Sequence, residues 1–126
     1  MRFALRLIVL LMVALPFTAF ASVDITGNWN MTVPNEDGGT ITIQVSIKTD
    51  GKYTVDFGVD GQIEVNGEYQ LDGSKMTIKD VSGPQACPQT AVYTVAVSGN
   101  TLTMTRVSDP CEGRGGPEGV MAFSRS

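Results

Sequence analysis

Residues 40–57 read TITIQVSIKTDGKYTVDF. Ile41, Ile43, Val45 and Ile47 alternate with Thr40, Thr42, Gln44 and Ser46, and Tyr53, Val55 and Phe57 resume the odd-numbered set after the turn. Alternation of period two marks a half-buried β-strand, with one face on a core and the other in water. A slip of one residue would turn every side chain to the wrong face. Odd parity on both sides therefore requires a loop of odd length. Thr49-Asp50-Gly51 supplies three residues ending in the glycine that such loops favour.

The same test works further along the chain. Ile63, Val65, Gly67, Tyr69 and Leu71 are odd-numbered, while Met76 and Ile78 are even. That switch needs a two-residue loop, and Asp72-Gly73 is expected to provide it. Ala91, Tyr93, Val95 and Val97 switch likewise to Leu102, Met104 and Arg106 around Gly99-Asn100. A first strand is expected over Ile25–Val33, a third running on to Val59, and a last through Met121, Phe123 and Arg125. The prediction is all-β: eight antiparallel strands in up-and-down order. The repeated Asp-Gly pairs are read as turn chemistry rather than calcium ligands, because they fall in separate turns without a run of alternating acids.

In such a meander, alternate connections share an end. The turns after strands 2, 4 and 6 are tight. Those after strands 1, 5 and 7 are long, and the one around Asp60-Gly61 is expected to be short. The long loops frame one end, where binding residues tend to gather above a rigid scaffold.

Residues 1–21 read as a cleavable leader: Arg2 and Arg6, an apolar run from Leu7 to Leu15, Pro16, then Ala19 and Ala21 before the expected cut. The apolar run is shorter than the roughly 20 residues that span a bilayer. Residues 22–126 then form one domain with no membrane anchor. Removing Arg2 and Arg6 takes the formal charge from −4 to −6, which argues against nucleic acid as a partner. In an exported protein Cys87 and Cys111 are expected to be oxidised. The hairpin of strands 6 and 7 brings them nearly opposite each other, and their separation is unlike the close spacing of a redox-active pair.

Gly27-Asn28-Trp29 resembles the GxW motif of lipocalins and lipocalin-like barrels, in which a late arginine packs across the tryptophan at the closed end. Arg125 is the positional match. The order GNW, DGKY, GEYQLDG, CP, SGNTLTMT and DPCEGR is similar to that of small secreted bacterial lipocalin-like domains. The resemblance implies a single eight-stranded lipocalin-like barrel with Trp29 and Arg125 in structural roles. The chain is shorter than typical lipocalins and shows no helix near its C-terminus, which limits the room for a ligand.

Arg106 shares the parity of Leu102 and Met104, opposite Tyr93 near the loop end. It is either a carboxylate anchor or a rim residue pairing with Asp109 or Glu112. Met31, Phe57, Tyr93, Met104 and Met121 form the apolar stripe beside it, the lining an adaptable pocket would use. Asp109, Glu112 and Arg114 read as a loop fixed by its own ion pairs. The chain contains no histidine and no nucleophile motif, so neither catalysis nor a cofactor nor a bound metal is expected. The resulting expectation is a monomeric, non-enzymatic binding protein of the periplasm or cell exterior for a small apolar or amphipathic ligand. A protein-interaction module, such as a secreted proteinase inhibitor, is the alternative.

Overall fold

The computed structural model describes residues 23–126; the expected leader lies outside them. Eight strands follow one another: β1 Gly27–Pro34, β2 Thr40–Ile47, β3 Lys52–Phe57, β4 Val65–Asp72, β5 Lys75–Ser82, β6 Ala91–Ser98, β7 Thr101–Ser108 and β8 Val120–Arg125. Each pairs antiparallel with the next, and β1 pairs with β8, so the sheet closes into an up-and-down barrel. The all-β, eight-stranded expectation holds.

Turn length sets the register as parity required. Ile47 faces Tyr53 and leaves Thr49–Gly51 as the loop, with the Lys48 amide donating to the Lys52 carbonyl at 2.9 Å. Ser98 faces Thr101 across Gly99-Asn100. Between β4 and β5 the two loop residues are Gly73-Ser74 rather than Asp72-Gly73, because Asp72 still pairs with Lys75. Gly73 and Gly99 each take φ near +60° at the first loop position, the geometry of type II′ hairpins.

Two strand ends differ from expectation. β1 starts at Gly27, not Ile25. Gly27 has φ +124°, so residues 23–26 swing under the barrel. There Ile25 is buried and its carbonyl accepts the Trp29 indole N–H at 2.9 Å. β3 ends at Phe57 and β4 begins at Val65, which removes Val59 and Ile63 from strands and makes that connection long. Val59 sits at φ +52°, in the left-handed region, where a β-branched side chain is unfavourable. Backbone bonds to side chains hold it there: Asp56 accepts the amides of Asp60 at 3.2 Å and Gly61 at 3.0 Å, and Glu64 accepts the Phe57 amide at 2.7 Å.

The hairpins β4–β5 and β6–β7 follow one template. Each carries a bulge, opposite Asn66/Gly67 in the first and Val92/Tyr93 in the second. The bulged residues, Val81 and Val107, point to solvent, as an extra residue in one strand would. Just before each bulge stands an inward charge, Asp80 in one hairpin and Arg106 in the other. Each exits through Ser-Xaa-Pro toward one of the two cysteines. The core runs from Ile25 and Trp29 at the tight-turn end through Val95, Leu102 and Phe123 to Tyr53, Met104 and Tyr93.

Candidate functional site

The barrel's loop end has a polar plug and an apolar lip. Tyr53 starts the plug. Its ring crosses β4 at Gly67, where any β-carbon would collide with it. Its hydroxyl then donates to Asp80 on β5. The other Asp80 oxygen accepts the Cys87 amide at 2.9 Å and meets Arg114 Nη1 at 3.3 Å. Arg114 continues to Asp109 through two parallel bonds, Nε–Oδ2 at 2.9 Å and Nη2–Oδ1 at 3.0 Å. Its nitrogens also donate to the carbonyls of Cys87 at 3.0 Å and Gln89 at 2.7 Å. Asp109 in turn accepts the Tyr93 hydroxyl and the Cys111 amide. The Cys87–Cys111 disulfide ties together the two loops that carry this network, as the cysteine spacing foretold. Such a bond fits an oxidising compartment.

A guanidinium between two carboxylates in low dielectric is worth its desolvation only when every polar atom is paired, and here the pairing is nearly complete. Burial alone would raise the Asp109 carboxyl. The bonds from Arg114, Tyr93 and the Cys111 amide outweigh that and hold it below its ordinary value. Burial and then Asp109 push the Tyr93 phenol up to about 12. Burial and then Asp80 raise the Tyr53 phenol still further. Burial opposes the charge on Arg114, but Asp109 and Asp80 keep it charged.

Arg106 does face Tyr93 in the register. Its Nη2 donates to the carbonyls of Gly116 at 2.6 Å and Arg114 at 3.2 Å, while its buried Nε has no partner among the described residues. It anchors the 109–119 loop through carbonyls. Of the two acids expected to pair with it, Asp109 pairs with Arg114 instead, and Glu112 makes no ion pair among the described residues.

The lip belongs to β1, β2 and β3. β1 meets β8 only at Trp29↔Arg125 and Asn30↔Ser124, and β3 meets β4 no further up than Val55↔Val65. Above those seams three strands continue alone. Val33 faces Ile41, Met31 faces Ile43, and Ile43 faces Phe57. These five share the inward parity yet are only partly buried. Val33, Ile41, Ile43 and Phe57 do not join the core cluster, whereas Met31 and, from β8, Met121 pack against it. Of the apolar stripe read from the sequence, Met31 and Phe57 lie at this lip, while Met121 on β8 faces Met104 and packs against the core. Tyr93 and Met104 are buried in the core beneath the plug.

Asp80, Tyr53 and Gly67 were not singled out by sequence reasoning. A usable signal existed for Asp80, which continues the parity of Met76 and Ile78 and so places an acid on a core face. Carboxylate oxygens of Asp56, Asp60 and Glu64 come within 4.8 Å of one another, the spacing a cation site would need. Each already accepts a backbone amide that shapes the β3–β4 loop.

At the opposite pole, the Arg125 guanidinium lies 4.2 Å from the centroid of the buried Trp29 ring and donates to the Thr26 carbonyl at 3.1 Å. Gly27 holds φ +124°, a conformation that L side chains rarely adopt, which explains the glycine in the Gly-Asn-Trp sequence. Comparison with protein-family models, with curated proteins and with solved structures returned no match to this chain. The geometry alone is that of a closed antiparallel barrel compatible with a lipocalin-like fold and with a binding role.

Proposed function

We propose that the protein is an exported, lipocalin-like, non-enzymatic binding protein that takes a small apolar or amphipathic ligand against the lip of β1–β3. One observation carries this reading. Val33, Ile41, Ile43 and Phe57 point inward and are only partly buried, yet they lie outside the core cluster that the other inward apolar residues form or pack against. A contiguous apolar face left unpaired marks a binding surface. The ligand lies beside the plug rather than down the barrel axis, because the Arg114 network occupies the centre of the mouth.

The engagement of Arg106 with loop carbonyls favours its role as a loop anchor over that of a carboxylate anchor. The absence of histidine and the closed pairing of the buried acids favour binding over catalysis. The inhibitor alternative needs a free N-terminal arm. Residues 23–26 instead tuck beneath the barrel, which weighs against it.

The test is titration with a neutral fluorescent naphthylamine. The protein is expected to bind it, and Ile43→Ser to weaken binding by roughly tenfold or more, the worth of one buried aliphatic side chain. No binding by the unmodified protein would refute the reading.

A further inference from the structure

We infer that the ligand is an amphiphile with a cationic head rather than a fatty acid. This rests on the binding reading above and specifies its chemistry. Charge is unevenly placed around the apolar lip. Lys48, Lys52, Lys75 and Arg125 lie at the tight-turn end, and Lys79 stands in the wall opposite Glu68. Among the described residues, the cations at the loop end are Arg106 and Arg114. Arg114 is taken by Asp80 and Asp109, and Arg106 by the carbonyls of Gly116 and Arg114.

The acids of that end are distributed differently. Glu36 and Asp37 sit on the loop joining β1 to β2, directly above the Val33–Ile41 pair. Asp60 and Glu64 sit on the loop that follows Phe57. Glu112 and Glu118 sit on the loop across the mouth. Among the described residues, Arg114 makes the only ion pairs, so these six carboxylates have no cationic partner. The apolar face is therefore edged on two sides by unneutralised negative charge. An alkyl chain seated on Ile41, Ile43 and Phe57 would place its head among them. A carboxylate head is repelled there and an ammonium head attracted. At separations of about 10 Å in salt each charge contributes little, but the contributions share one sign, and together they favour the cation over the anion by about tenfold.

Dodecyltrimethylammonium, dodecyl maltoside and dodecanoate, all below their micellar concentrations, offer one chain with three heads. Calorimetric titration is expected to rank them cation, neutral, anion, with about tenfold between the extremes. That gap should shrink in 0.5 M salt (about a 4 Å Debye length) and in the double variant Glu36→Gln, Asp60→Asn. Among the described residues the Glu36 carboxylate makes no hydrogen bond, and the amide oxygen that Asp60→Asn introduces can still accept the Gln62 amide as the carboxylate does, so the variant preserves the loops. If dodecanoate binds as tightly as the cation, the inference fails while the binding reading survives. If none of the three binds, both fail.

Discussion

Both poles of the barrel are organised by an arginine, and the two arginines do opposite kinds of work. At the tight-turn pole Arg125 lies exposed across the buried face of Trp29, with its charge still in water. It stabilises by covering apolar surface and by cation–π attraction, which at an exposed site is worth about 0.5–1 kcal/mol. At the loop pole Arg114 is largely buried between Asp80 and Asp109. It stabilises chiefly by preventing two buried carboxylates from standing alone. The first arginine adds a modest increment to a pole that Ile25 and Trp29 already close. The second is the condition on which the other pole exists.

Removing Arg114 is therefore expected to have the largest effect. Arg114→Ala leaves Asp80 and Asp109 without a cation. Unpairing a buried ion pair costs about 3–5 kcal/mol, and the slight exposure of Arg114 places the expectation near the lower figure. Urea unfolding checks it, and a loss under about 1 kcal/mol, the range of a surface pair, would mean the plug is an ornament on a self-sufficient barrel.

The pH dependence separates the poles next. Asp109 titrates lower when folded than unfolded, so its contribution is present above its ordinary unfolded value, near 4, and is lost as pH falls through the folded value. Tyr93 titrates higher when folded. Its contribution is present below pH 10 and is lost between about 10 and 12. Stability should fall at both extremes in the unmodified protein. Tyr93→Phe should remove the part of the alkaline limb that Tyr93 contributes, leaving the part due to the more strongly raised Tyr53, and an unchanged limb would dissociate Tyr93 from the network.

Arg125→Ala is expected to have the smallest effect, a loss of about 1 kcal/mol with the β1–β8 seam intact. A loss as large as that of Arg114→Ala would erase the contrast.

The contrast also explains what the sequence could reveal. The tight-turn pole is built from regular strands and short turns. Parity and turn length were enough to place the strands, and the resemblance of Gly-Asn-Trp to the lipocalin motif pointed to Arg125 as the residue across Trp29. The cysteine pairing was legible because the β6–β7 register brings Cys87 toward Cys111. The loop pole was not legible in the same way. Residues 109–119 have no period, so nothing in the order Asp-Pro-Cys-Glu-Gly-Arg says that Arg114 reaches back to β5 and to the carbonyls of Cys87 and Gln89. Tyr53 finds Asp80 only because Gly67, one strand over, has no side chain, a relation between three strands that no single-strand pattern encodes. Val59 resembled a strand residue by type, yet the bonds of Asp56 and Glu64 to loop amides ended β3 before it. The template shared by the two hairpins was present in the spacing. It became visible once the paired bulges set Asp80 and Arg106 in equivalent places.

The central claim is that the loop end is closed at its centre and available along β1–β3. Methyl NMR during titration with the neutral naphthylamine tests it most directly. The expected result is shifts confined to the methyl groups of Met31, Val33, Ile41 and Ile43, with Ile78, Val95 and Leu102 unmoved. Shifts at Ile78, Val95 and Met104, showing the ligand inside the barrel beneath the plug, would contradict it.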